Sequence, residues 1–169
     1  MLILLWAALA WADEPPVRCD AVWLMPSKSC PLQKPLAATG TGKNTIAAQE
    51  AAMTRLSTLV VTAAQLQEIQ YPSRPMNVES CAAESIRHGR QTCAPAEELA
   101  ESKTCYVSFT ASECVAVDAF QVKGPAWKMM EKGRDRMCAQ VEKAHRTSAP
   151  LIQMTCLARC LEETLVRCP

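Results

Sequence analysis

Ten cysteines in 169 residues, spread without any metal-binding spacing, constrain this chain more than any other feature. Four of them, Cys81, Cys93, Cys105 and Cys114, fall within 34 residues. Cys19 and Cys30 precede that stretch, while Cys138, Cys156, Cys160 and Cys168 follow it, and none lies between 31 and 80. In an oxidising compartment an even count reads as five disulfides, whereas in a reducing one it points to metal or catalysis. No C-x2-C occurs and the two histidines stand far apart, so the metal reading is poorly served. About 945 full pairings are open in principle. The one local preference is Cys19 with Cys30, whose intervening loop is short and bounded by prolines.

The N-terminus points to the same compartment. MLILLWAALAWADEPP has an apolar run from Leu2 to Ala10, then the small-x-small site Ala10-Trp11-Ala12 and two acids. The run is too short to span a bilayer and has the length of a secretory h-region, although no basic residue precedes it. Residues 1–12 are therefore read as a signal peptide, and the protein is expected to be secreted or periplasmic. There is no Asn-x-Ser/Thr sequon.

Beyond Ala12, Leu, Ile, Val and Phe make up about 18% of the chain, just under the ~20% at which core material runs short. The formal net charge is only +1, so disorder driven by self-repulsion is not the alternative. Alanine, methionine and cystine fill the gap, and cross-links worth about 2–4 kcal/mol each supply what burial does not. Near-zero charge also argues against nucleic acid as a partner, because phosphate neutralisation needs a basic surface. Few aromatics remain, Trp23, Trp127, Tyr71, Tyr106, Phe109 and Phe120, which is too few for a base- or sugar-stacking platform.

Five prolines and a Thr-Gly-Thr-Gly run make 13–43 an extended, Pro-rich N-terminal arm. GTGKNT at 40–45 has the outline of a phosphate-binding loop, but Ala37 stands where its first glycine belongs and Asn44 where Ser or Thr must hold magnesium. Residues 44–70 are the clearest helix, with Ala52, Leu56, Leu59, Ala63 and Leu66 on one stripe, Asn44 or Thr45 as cap and Tyr71-Pro72 as stop. It carries only Glu50, Arg55 and Glu68 as charges, as a helix packed on more than one side would. After a turn at 72–75, Asn77 caps a helix to His88, and Pro95 opens a short one to about Ser102. Residues 105–110 alternate as a strand, and 114–122 suits a hairpin partner or a helix equally well.

A long helix from Gly124 to about Arg146 places Trp127, Met130, Met137, Val141 and Ala144 inside. A basic excess of Lys123, Lys128, Lys132, Arg134, Arg136, Lys143 and Arg146 over Glu131, Asp135 and Glu142 lies outside. A last helix over 150–167 turns Ile152, Cys156, Leu157, Cys160, Leu161 and Leu165 inward. Residues 44–169 are thus expected to form a mostly α, disulfide-stapled bundle of about five helices with at most one small β-hairpin near 105–122. No internal repeat is evident: the twelve-residue spacing of Cys81, Cys93 and Cys105 is not matched by the residues between.

Chemistry is thin. Cys156-x3-Cys160 sits one turn apart on one face, the spacing that clamps a helical hairpin, and its mid-helix position does not favour a low-pKa thiol. His88 and His145 each follow a cysteine by seven residues, Cys81 and Cys138, which with Met130 and Met137 sketches two soft-metal half-sites. Exposed histidines near helix C-termini explain the same spacing and are the reading adopted. G-x-S-x-G, H-E-x-x-H and Cys-Cys-x-x-His are all absent. The expectation is a binding, inhibitor or structural protein without catalytic activity or cofactor, meeting a protein partner at a cell envelope. The basic 123–146 helix is offered to any anionic surface. A thiol-redox or copper protein, and a small hydrolase with a dispersed site, are the alternatives.

Overall fold

The strand signal hidden in the Pro-rich arm sets the architecture. In the computed structural model, which describes residues 14–24, 30–32, 34–73 and 76–169, Val17, Cys19, Ala21 and Trp23 are buried at every second position. That period of two is a strand with one face on a core. β1 (Val17–Trp23) is the centre of a three-stranded antiparallel sheet, flanked by β2 (Leu36–Gly42) and β3 (Arg90–Pro95). A second three-stranded antiparallel sheet has β4 (Ser102–Ser108) between β5 (Phe120–Pro125) and β6 (Leu165–Arg167). Four α-helices are described: α1 (Thr45–Gln70), α2 (Val78–His88), α3 (Ala126–Ala144) and α4 (Pro150–Glu163).

The fold is therefore α+β, and the expected mostly α bundle is corrected. The arm over 13–43 contains β1 and β2, which its prolines masked. The helix expected from Pro95 is one 3-10 turn at Glu97–Leu99, and the last helix stops at Glu163 before β6. Ile152 and Leu165, expected inside, are exposed, as is Ala144. The proposed signal peptide over 1–12, and residues 74–75 of the proposed turn, lie outside the described residues.

α1 is the spine. The Asn44 side chain accepts from the Ala47 N–H at 2.9 Å, closing the first turn. Ala48, Ala52, Leu56 and Val60 are fully buried, and the helix packs against β1, β2, α2 and α4. Thr-Gly-Thr-Gly is a contact rather than a linker. A Cβ on Gly40 would stand 2.1 Å from the Ala52 backbone nitrogen, and one on Gly42 would stand 2.4 Å from that of Ala48. Backbone-to-backbone packing of this kind replaces the bulky side chains that the composition lacks.

The chain is built twice. Both halves run strand, strand, helix, helix, strand, and both sheets place the first strand in the middle. Cys19–Cys93 ties the central strand β1 to β3, and Cys105–Cys168 ties the central strand β4 to the residue after β6. Cys30–Cys81 ties the β1–β2 loop to α2, and Cys114–Cys156 ties the β4–β5 loop to α4. In both halves the last two of these cysteines, Cys81 and Cys93 or Cys156 and Cys168, stand twelve positions apart. From the first helical residue, Ala48, Ala52, Leu56 and Val60 of α1 occupy the same positions as Met129, Gly133, Met137 and Val141 of α3, and all eight are buried. The expectation of no internal repeat is overturned at this level.

The preferred Cys19–Cys30 pairing is likewise corrected. Cys19 lies in mid-strand with its Cα 4.1 Å from that of Cys93, directly across the ladder, while Cys30 reaches α2. The fifth bridge, Cys138–Cys160, clamps α3 to α4 and has no counterpart in the first half, where buried Ser85 holds the place of Cys160. Each bridge restricts the unfolded chain by about 2–4 kcal/mol. None of the five crosses from one half to the other. Each half also has its own core, around Trp23, Leu56 and Val60 or around Val107, Met137 and Val141, and Leu161 packs against both.

Candidate functional site

Because no disulfide joins the halves, the side chains that do so form the most informative site. Arg55 is among the few charges on α1, and its side chain is only 9% exposed. Its guanidinium pairs with the Glu131 carboxylate of α3 and donates to the Thr39 carbonyl of β2. The other Glu131 oxygen accepts from the Thr41 N–H at 2.9 Å, and the Thr41 hydroxyl donates to the Trp127 carbonyl at 2.7 Å. Arg134 adds a longer bond, 3.4 Å, to the Thr39 carbonyl. Lys34 pairs with Glu162 at 2.9 Å across the same seam, at a more exposed position.

Electrically, this is a closed set. Burial pushes the Arg134 guanidinium pKa down, and the neighbouring Arg55 charge adds to the effect. An arginine stays charged nonetheless. Small clefts open on either side of Arg55. One, of about 410 Å³, is lined by Glu50, Thr54, Thr58 and Asp135, and the other, of about 340 Å³, by Asp20, Thr39, Arg134 and Glu162. Neither lining includes a histidine or a cysteine. The arrangement caps the outer edge of β2 and neutralises its own charges, which is the chemistry of a joint. Sequence reading missed Thr41 and the role of Glu131. The available signal was Arg55, a lone cation in mid-helix among alanines and apolar residues.

The second cluster surrounds His145. Expected to be exposed, it is 2% exposed, because the end of α3 is covered by the Cys114–Cys156 bridge. Its Nε2 accepts from the Val115 N–H at 2.9 Å and its Nδ1 lies 3.2 Å from the Ser148 hydroxyl, so the ring is neutral with the proton on Nδ1. The ligand atoms of Cys114, His145 and Cys156 lie within 4.8 Å of one another, but the two sulfurs are bonded together. On the same loop, Arg159 hydrogen-bonds Glu113 at 2.9 Å and holds its carboxyl below the usual range.

The other sequence candidates are dispersed. The half-sites drawn from Cys81 with His88 and Cys138 with His145 do not form, since Cys81 and Cys138 are bridged to Cys30 and Cys160. His88 is largely exposed beside Glu84 at 3.4 Å, and Met137 is core. Of the Cys156-x3-Cys160 pair, only Cys160 clamps the helical hairpin, while Cys156 reaches back to the β4–β5 loop. On α3, Glu131 and Arg134 turn toward the seam, and Lys128, Lys132, Arg136 and Lys143 remain exposed, as does Arg146 just beyond its end.

The fold and the joint together define a class: a disulfide-closed α+β protein made of two like halves. The chain matches no known protein family, no curated protein and no solved structure. Among the described residues no helix is long and apolar enough to cross a membrane. Five disulfides are consistent with an extracellular or otherwise oxidising compartment.

Proposed function

We infer that this is a secreted or periplasmic binding, inhibitor or structural protein that works by presenting a rigid surface and performs no catalysis. One observation carries the reading: all ten cysteines are in bridges and no cysteine is free. A copper protein needs free sulfur and a thiol-redox protein an accessible bridge, whereas each of the five bridges here includes a fully buried cysteine. Here the one grouping of cysteines with a histidine has both sulfurs bonded and both ring nitrogens engaged. The hydrolase alternative needs a histidine beside a carboxylate in a recess. His145 meets a backbone N–H and a serine hydroxyl instead, and His88 stands in solvent. Covalent closure of each half also suits a protein that must keep one shape outside the cell.

Thiol titration of protein from its natural source, denatured but not reduced, tests this. No free thiol is the expected result. Two or more would overturn the reading in favour of the redox or metal alternative.

A further inference from the structure

The joint between the halves uses a donor and an acceptor surface, and the repeat leaves one unused copy of each. The acceptor is the outer edge of β2, where Thr41 offers its N–H, Thr39 its carbonyl and Arg55 a cation. The donor is the start of α3, whose Glu131 accepts from the Thr41 N–H and neutralises Arg55, which itself donates to the Thr39 carbonyl. An edge strand left without such a cover is a template for association.

In the second half β5 holds the place of β2. Gly40 stands opposite Cys19 and Val122 opposite Cys105, so Gln121 and Lys123 occupy the positions of Thr39 and Thr41. Arg136 is the eleventh residue of α3, as Arg55 is of α1. Gln121, Lys123 and Arg136 are all exposed, and among the described residues Arg136 meets only the Phe120 ring, 4.4 Å from its centroid. Among the described residues no carboxylate pairs with Arg136. The missing acid exists elsewhere: Glu50 is the sixth residue of α1, as Glu131 is of α3, and it is exposed. Ile46, in the place of Trp127, is 68% exposed.

We propose that a second copy of this chain supplies the cover. The start of α1 in one copy, Ile46 and Glu50, docks on the β5 edge of the next. There Glu50 accepts from the Lys123 backbone N–H and pairs with Arg136, as Glu131 does with Thr41 and Arg55 within the chain. The argument rests on continuity with the existing joint and on opposite charges at matched positions. The contact is heterologous, so any open assembly keeps one free donor and one free acceptor at its ends and grows head to tail. This is independent of the compartment and of the thiol result.

Sedimentation equilibrium on the oxidised protein, taken to about 1 mM so that a weak interface registers, tests it. The wild-type average mass is expected to rise beyond a dimer with concentration. Glu50→Ala and Arg136→Ala, both at exposed positions, each lower the association constant about tenfold or more. A one-to-one mixture of the two variants then forms dimers and nothing larger, because one keeps Arg136 and the other keeps Glu50. Circular dichroism melts of both variants establish that they fold. A wild type that stays monomeric throughout, self-association that both variants leave intact, or a mixture that fails to dimerise would each overturn the proposal.

Discussion

Alanine at Gly40 destabilises the protein by about 4 kcal/mol or more, enough to abolish most of the stability of an ordinary domain. The added methyl carbon would lie 2.1 Å from the Ala52 nitrogen and 2.6 Å from the Ala48 carbonyl oxygen, both backbone atoms of the spine helix. No side chain can rotate away to make room. β2 must lift off α1 instead, exposing Leu36, Ala38 and the buried face of the helix. Overpacking ordinarily costs about 1–3 kcal/mol, and the excess here reflects a clash with main chain on both sides. Urea unfolding of Gly40→Ala beside Ala37→Val measures it. Ala37 lies on the same strand but is exposed, so the valine should shift stability by less than about 0.5 kcal/mol.

The second large effect is at the joint. Glu131→Ala leaves the buried Arg55 guanidinium with only the more distant and largely exposed Asp135 carboxylate, 3.9 Å away, and the Thr41 N–H without its acceptor. Breaking one side of such a pair costs about 3 kcal/mol. The manner of the loss is more telling than its size. Each half keeps its own bridges and its own core, so weakening the seam should divide one cooperative thermal transition into two, read by calorimetry. Arg55→Met combined with Glu131→Leu removes both charges together and should recover most of the loss, as apolar replacement of buried ion pairs often does. A single transition of unchanged midpoint in Glu131→Ala would mean that the α1–α4 contact and Leu161 hold the halves without the ion pair.

How much of this was legible beforehand follows from where the signals lay. The spine helix was plain, because Ala52, Leu56, Leu59, Ala63 and Leu66 keep helical spacing for about four turns and Asn44 caps it. The disulfide framework was legible as a count but not as a map, since pairing depends on which strands lie side by side. β1 was written in Val17, Cys19, Ala21 and Trp23, but five prolines around it argued for an arm. β2 carried almost no strand signal. After Leu36 its residues are alanine, threonine and glycine because the surface they meet is backbone, and a strand chosen for closeness has few bulky side chains to show. β6 was absorbed into the preceding helix because Leu165 continues the α4 stripe.

The repeat escaped for a related reason. Cys30 follows Cys19 by eleven residues, but Cys114 follows Cys105 by nine, and α1 outruns α3 by about two turns. A fixed period therefore finds nothing. Only the twelve-residue step from Cys81 to Cys93 and from Cys156 to Cys168 survives intact, and the equal step from Cys93 to Cys105, which crosses from one half to the other, obscures it. The joint was invisible in principle: Arg55 and Glu131 are 76 residues apart, and nothing local marks them as partners.

The measurement closest to the central idea is a peptide map without reduction. The denatured chain is cut on the carboxyl side of glutamate, which severs the Glu97–Glu101 connection between β3 and β4. The linked peptides should fall into two groups, one from each half, with no bridge between the groups. The first carries Cys19–Cys93 and Cys30–Cys81, and the second Cys105–Cys168, Cys114–Cys156 and Cys138–Cys160. A Cys19–Cys30 peptide, or any bridge linking a cysteine up to Cys93 with one from Cys105 onward, would contradict a chain made of two separately closed copies of one unit.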